Sequence, residues 1–118
     1  IIELIGEWND AIENDIMTLK REVIDQFQAL GIHKYILIVE NVLNFHSSDE
    51  SYYEEWFEEV NDNNGWVTFI NMTQATKHDF TKLNLDSYIP LLDIPNWRTY
   101  KPDGLFQKID NFFMRRLE

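Results

Sequence analysis

Apolar positions along the chain change period several times, and each change marks an element. Ile1, Ile2, Leu4 and Ile5 make a short run closed by Gly6, which predicts a strand at or near the start of the domain. Residues 6–10 read as a turn, with Asn9, Asp10 or Asn14 placed to cap the next helix. Ile12, Ile16, Leu19, Val23, Phe27 and Leu30 then recur at spacings of three and four, the apolar stripe of a helix. Lys20, Arg21, Asp25 and Gln28 are expected on its other faces, and Gly31 stands where a left-handed C-terminal residue belongs. Tyr35, Ile36, Leu37, Ile38 and Val39 run apolar without alternation, as a central parallel strand covered on both faces does. Glu40 and Asn41 are expected to interrupt it before Val42, Leu43 and Phe45 return to the core.

Residues 44–50 read as a loop, with Ser47 or Ser48 capping a helix whose first turn holds Asp49 and Glu50. In that helix Tyr52, Tyr53, Trp56, Phe57 and Val60 fall on one side, as core residues. Glu54, Glu55, Glu58 and Glu59 fall on the other, a local negative surface. Residues 61–65 are a turn by composition, and residues 66–72 a strand. Thr73 can cap a short helix through Ala75, Phe80 and Leu83. Pro90 demotes the apolar stretch around it to an edge strand or link. Residues 96–100 suit a short strand or an ordered loop. Asp103 is expected to cap a last helix with Leu105, Phe106, Ile109, Phe113 and Leu117 on its apolar face and Arg115 and Arg116 in its final turn. Strands thus alternate with helices, which implies a small α/β domain: a mostly parallel four- to five-stranded sheet with helices packed on it.

Composition narrows the function more than it names one. At 118 residues with 44% hydrophobic content the chain suits one folded domain spanning 1–118. No apolar run is long enough to span a bilayer, and no basic n-region or cleavage pattern precedes the first strand, so neither a membrane span nor a secretory leader is expected. The chain opens at Ile1 rather than Met, and further sequence upstream is expected. With no cysteine, disulfides, thiolate nucleophiles and cysteine metal sites are absent, which fits a cytoplasmic setting. The net charge of −11 would repel a phosphate backbone or an anionic membrane, and would steer a basic protein partner inward.

Chemical signatures are missing. The four glycines are scattered, so neither a P-loop nor a dinucleotide fingerprint can form. The Asn- and Asp-rich residues 61–65 lack the alternation of a calcium loop. His33, His46 and His78 form no paired metal motif, and His46 beside Ser47, Ser48 and Asp49 holds triad residue types on adjacent positions that rarely converge. The expectation is a protein without enzymatic activity, cofactor or metal.

Three stretches nevertheless look familiar. Ile2-Glu3-Leu4-Ile5-Gly6-Glu7-Trp8-Asn9 resembles the hydrophobic strand and Gly-Glu-Leu-Asp of STAS domains, the SpoIIAA-like family of bacterial anti-sigma-factor antagonists. Residues 35–39 followed by Val42-Leu43-Asn44-Phe45-His46-Ser47-Ser48-Asp49 resemble that family's strand and phosphorylatable Asp-Ser-Ser-Gly loop, and residues 80–89 resemble its amphipathic ending before the last strand. The resemblance implies a regulatory protein-interaction module, with Ser48 as the phosphoacceptor and a further strand upstream of Ile1. His46 replaces the family's Asp and Asp49 its Gly, and a phosphate on Ser48 would face Asp49 and Glu50, so the loop is a poorer acceptor than the family pattern. The expected docking face comprises Phe45, His46, Ser47, Ser48, Asp49, Glu50, Glu54, Glu55 and Glu58, and the expected partner is a protein such as a kinase or an anti-sigma-like regulator. A homodimer is a further expectation if Trp8, Trp97 or Tyr100 is exposed. The alternative reading is a small-molecule or lipid-binding domain of the same fold, which an apolar cavity would favour.

Overall fold

In the computed structural model, which describes residues 1–9, 15–46 and 51–117 (backbone alone at 5–9, 43–46 and 116–117), four parallel strands stand side by side in chain order. They are β1 (Ile2–Asn9), β2 (Lys34–His46), β3 (Trp66–Ile70) and the two-residue β4 (Leu91–Leu92). Because the order never reverses, right-handed crossovers send every connecting helix to the same face. A rod made of α1 (Asp15–Thr18), a π turn (Leu19–Ile24) and α2 (Asp25–Ala29) joins β1 to β2. Helix α3 (Ser51–Asp62) joins β2 to β3, and α4 (Gln74–Lys82) leads toward β4. Ile16, Leu19, Ile24, Tyr53, Trp56, Val60 and Phe80 from these helices share one core with Tyr35, Leu37, Val39, Val67 and Phe69. The opposite face is left to α5 (Pro102–Leu117), whose Leu105, Ile109 and Phe113 pack with Ile36, Ile38, Trp66 and Ile70. The unbroken apolar run of β2 is explained directly: odd positions serve one core and even positions the other.

Several local expectations hold. Gly31 adopts φ +84°, with Gly31 N–H donating to Gln28 O and Ile32 N–H to Phe27 O at 3.0 Å each, a Schellman ending. Thr73 Oγ1 accepts from Thr76 N–H at 3.3 Å at the start of α4. Pro90 precedes an edge strand, and its carbonyl accepts from Phe69 N–H at 3.2 Å and from the Thr68 hydroxyl at 2.8 Å. At Gly65 a Cβ would lie 1.8 Å from the His33 carbonyl oxygen, so the turn between α3 and β3 requires glycine there.

Others need correction. Residues 6–9 belong to β1, and β2 runs through Glu40 and Asn41 to His46 rather than breaking. The ladder joins backbone groups and tolerates polar side chains that find partners. Asn41 Nδ2 donates to Glu3 Oε1 at 3.2 Å, and Arg98 bridges Glu3 at 2.6 Å and Glu40 at 3.6 Å. The pairing absorbs the extra length by two slips: Ile2 stands opposite Leu37, but Asn9 stands opposite His46. Of the two readings of residues 96–100, the ordered loop is the one found, with a 3-10 turn at Trp97–Thr99. Helix α5 starts at Pro102, whose missing N–H costs nothing in a first turn, so Asp103 lies inside the helix rather than capping it.

The first helix departs most. Its stripe was expected to continue through Phe27 and Leu30, yet Leu30 is 76% exposed, Phe27 36%, and no residue of α2 is buried. The π turn inserts one residue per turn, and Asp25 N–H donates back to Lys20 O. That rotates the following segment, bringing Ile24 into the core and turning Phe27 and Leu30 out.

Candidate functional site

Helix α3 begins just beyond the C-terminal end of β2, the side of a parallel sheet where α/β proteins place their sites. Ser47, Ser48, Asp49 and Glu50 lie outside the described residues. Phe45 and His46 close β2, His46 standing opposite Asn9 in the register. Tyr53, Trp56 and Val60 are buried, while Tyr52 and Phe57 are half-buried at the margins of the helix's apolar face.

The glutamates of α3 do not form one uniform face. Glu58 is exposed and Glu54 partly so, but Glu55 and Glu59 turn toward the first helix and meet Lys20. The Lys20 side chain is 0% exposed, against the expectation that it would face outward. Its Nζ donates to Asp25 Oδ1 and to Glu59 Oε2 at 3.0 Å, and lies 3.2 Å from Glu55 Oε2. Arg21 completes the cluster, with Nη1 donating to Asp25 Oδ2 at 2.9 Å and Nη2 to Glu55 Oε1 at 3.0 Å. The guanidinium lies 5.4 Å from the centre of the Tyr52 ring. Burial disfavours the Lys20 ammonium, but hydrogen bonds to the three carboxylates outweigh it, and its pKa lies above the ordinary lysine value. Burial likewise pushes Asp25 and Glu55 up, and their bonds to the two cations pull both below the usual carboxylate range. The cluster therefore holds α3 against the first helix in one register, and among the described acids of the expected docking face it takes Glu55 and leaves Glu54 and Glu58 outside it.

Sequence reading missed Lys20, although a signal existed. Position 20 is four residues beyond the buried Ile16, so it falls on the apolar face whatever its charge. Asn71 was also missed. It takes φ +59°, donates from Nδ2 to Ile94 O at 2.9 Å and accepts Ile94 N–H on Oδ1 at 2.7 Å, fastening the segment beyond β4 as a strand would. The histidines stay apart: His33 contacts Gln28, His46 ends β2 and His78 rides on α4. Among the described residues no three of His, Asp and Glu gather as metal ligands, and no helix is long and apolar enough to cross a membrane. Of the aromatics expected to mediate a self-contact, Tyr100 is 38% exposed and Trp97 packs against the α5 core beneath Arg98, 4.3 Å from its ring centre.

No protein-family model matches the chain, and no curated protein sequence does. Solved structures do. A Thermotoga maritima protein, TM1081, whose crystal structure is described as that of a proposed anti-sigma factor antagonist, superposes with a TM-score of 0.63 at 20% identity over 82% of each chain. An NMR structure of TM1081 gives 0.57 at 19% identity, covering 74% of this chain and 70% of that one. The chain therefore shares the α/β fold of TM1081, with the parallel sheet and packed helices expected from the sequence.

Proposed function

We propose that this chain is a non-enzymatic regulatory module that docks a protein partner where β2 hands over to α3, as a cytoplasmic STAS-type antagonist would. The observation that carries the reading is the shared fold with an anti-sigma factor antagonist-like protein over most of both chains. The surface chemistry supports it. Glu54 and Glu58 present carboxylates outside the Lys20 cluster, and an overall charge of −11 favours a basic partner surface. The resemblance makes Ser48 the candidate phosphoacceptor, and a phosphate there would be opposed by the neighbouring charges of Asp49 and Glu50.

The test begins with affinity purification from the native cell, with mass spectrometry identifying the bound protein and the state of Ser48. That protein is then titrated into wild type and into S48A and E54Q/E58Q variants. At least a tenfold weakening in E54Q/E58Q is expected. Unchanged affinity in both variants overturns the docking face.

A further inference from the structure

Two-residue β4 pairs only with Phe69 and Ile70, so the first half of β3, residues 66–68, has no strand beside it on that edge. Helix α3 covers one face of the sheet and α5 the other, and both reach this uncovered edge. A cleft of about 340 Å³ lies between them and opens to solvent. Phe57, Val60 and Asn61 line it from α3, Trp66 and Val67 from β3, Phe113 from α5, and Tyr88 and Pro90 from the segment before β4. No lining residue is charged. The walls are braced: Trp66 stacks on Phe113 at 5.1 Å, Phe57 meets Tyr88 at 6.2 Å, and the Trp66 indole N–H is held by Asp110 at 2.9 Å.

We propose that this cleft binds a small, neutral aromatic molecule. The walls set the ligand class. Rings on opposing sides favour a flat aromatic body, and the volume lies at the lower end of small-molecule sites. Water in such a cleft finds few polar partners, so its displacement is favourable. With no cation in the lining and a protein charge of −11, an anion such as a fatty-acid carboxylate is disfavoured. Asn61 at the rim offers an amide to one polar substituent. An added peptide strand is disfavoured, because Trp66 and Val67 are only 5% and 2% exposed and present little surface for strand pairing. Phe57 and Asn61 lie on the same stripe of α3 as Glu54 and Glu58, so the site borders the proposed docking face, but neither reading depends on the other.

N-phenyl-1-naphthylamine, a neutral two-ring fluorophore, is the probe. Its emission should rise on titration, with amide shifts in NMR spectra concentrated at Asn61, Gly65, Val67 and Tyr88. Asn61→Trp, which puts a ring across the mouth from an exposed helical position, and Phe57→Trp, which fills the wall, should each weaken binding at least fivefold. Leu30→Ser, in the exposed apolar patch at the end of the first helix, should leave it unchanged. Absence of binding, amide shifts centred on Leu30 and Ile32, or full affinity in both filled variants overturns the proposal.

Discussion

Lys20 shows how one side chain can be both a packing residue and a charge. Its stem lies in the core position set by Ile16 and Leu19, while Nζ reaches Asp25, Glu55 and Glu59. Replacing Lys20 with Met would keep the volume but remove the buried cation, leaving Arg21 alone to balance Asp25, Glu55 and Glu59, and because these carboxylates are partly exposed the cost should be about 1–3 kcal/mol at pH 7. The partners fix the sign of the pH dependence. Asp25 and Glu55 have folded-state pKa values below the ordinary ones, so their contribution is complete above about pH 4.5 and is lost as pH falls through the depressed values. Urea unfolding of wild type and K20M should therefore differ most at neutral pH and converge as acid protonates Asp25 and Glu55. A gap that stays constant with pH would mean that Lys20 acts through packing alone.

At the scale of elements, the two cores on opposite faces of the sheet are fastened differently. The α3 side relies on the Lys20 cluster, whereas α5 is tied by Asp110, which accepts from Lys34 Nζ at 2.7 Å and from Trp66 Nε1 at 2.9 Å. The hydrogen bond from Lys34 outweighs burial and holds the Asp110 carboxyl below the usual range. Asp110→Asn keeps an acceptor for Trp66 and removes the ion pair, which should cost about 1 kcal/mol. Hydrogen exchange should report that loss as faster opening of α5, with α3 amides little changed. Equal loss of protection in both helices would mean that the two cores open as one unit. Elements with a single period were legible in sequence: β2 from its unbroken apolar run, α3 from its aromatic stripe, α5 from Leu105, Ile109 and Phe113. The π turn was not, because Phe27 and Leu30 continue a perfect α period that one inserted residue turns outward. The true end of β2 was hidden because ladder pairing does not depend on the polarity of Glu40 and Asn41.

Across the whole molecule, sequence placed the acids of the candidate docking face on α3 but could not divide them. Only the tertiary approach of the first helix separates Glu55, bound by Lys20 and Arg21, from Glu54 and Glu58. The apolar cleft was beyond reach for the same reason, since Phe57, Val67, Tyr88 and Phe113 converge only after four elements pack. Charge balance is the whole-molecule property that sequence does fix, with 21 acids against 10 bases. Lys20, Arg21, Lys34, Lys77 and Arg98 all sit in ion pairs, so the unbalanced acids repel one another over the remaining surface. Screening acts on that long-range repulsion, because the Debye length shrinks to about 8 Å near 0.15 M salt, and acts less on pairs in direct contact. Raising NaCl from about 10 to about 150 mM should therefore lift the midpoint of thermal unfolding by about 3 °C. Sodium chloride is the right salt, since sulfate would add stability by exclusion from the surface. A midpoint that falls with NaCl would mean that the short pairs around Lys20, Lys34 and Arg98 outweigh the repulsion of the excess carboxylates.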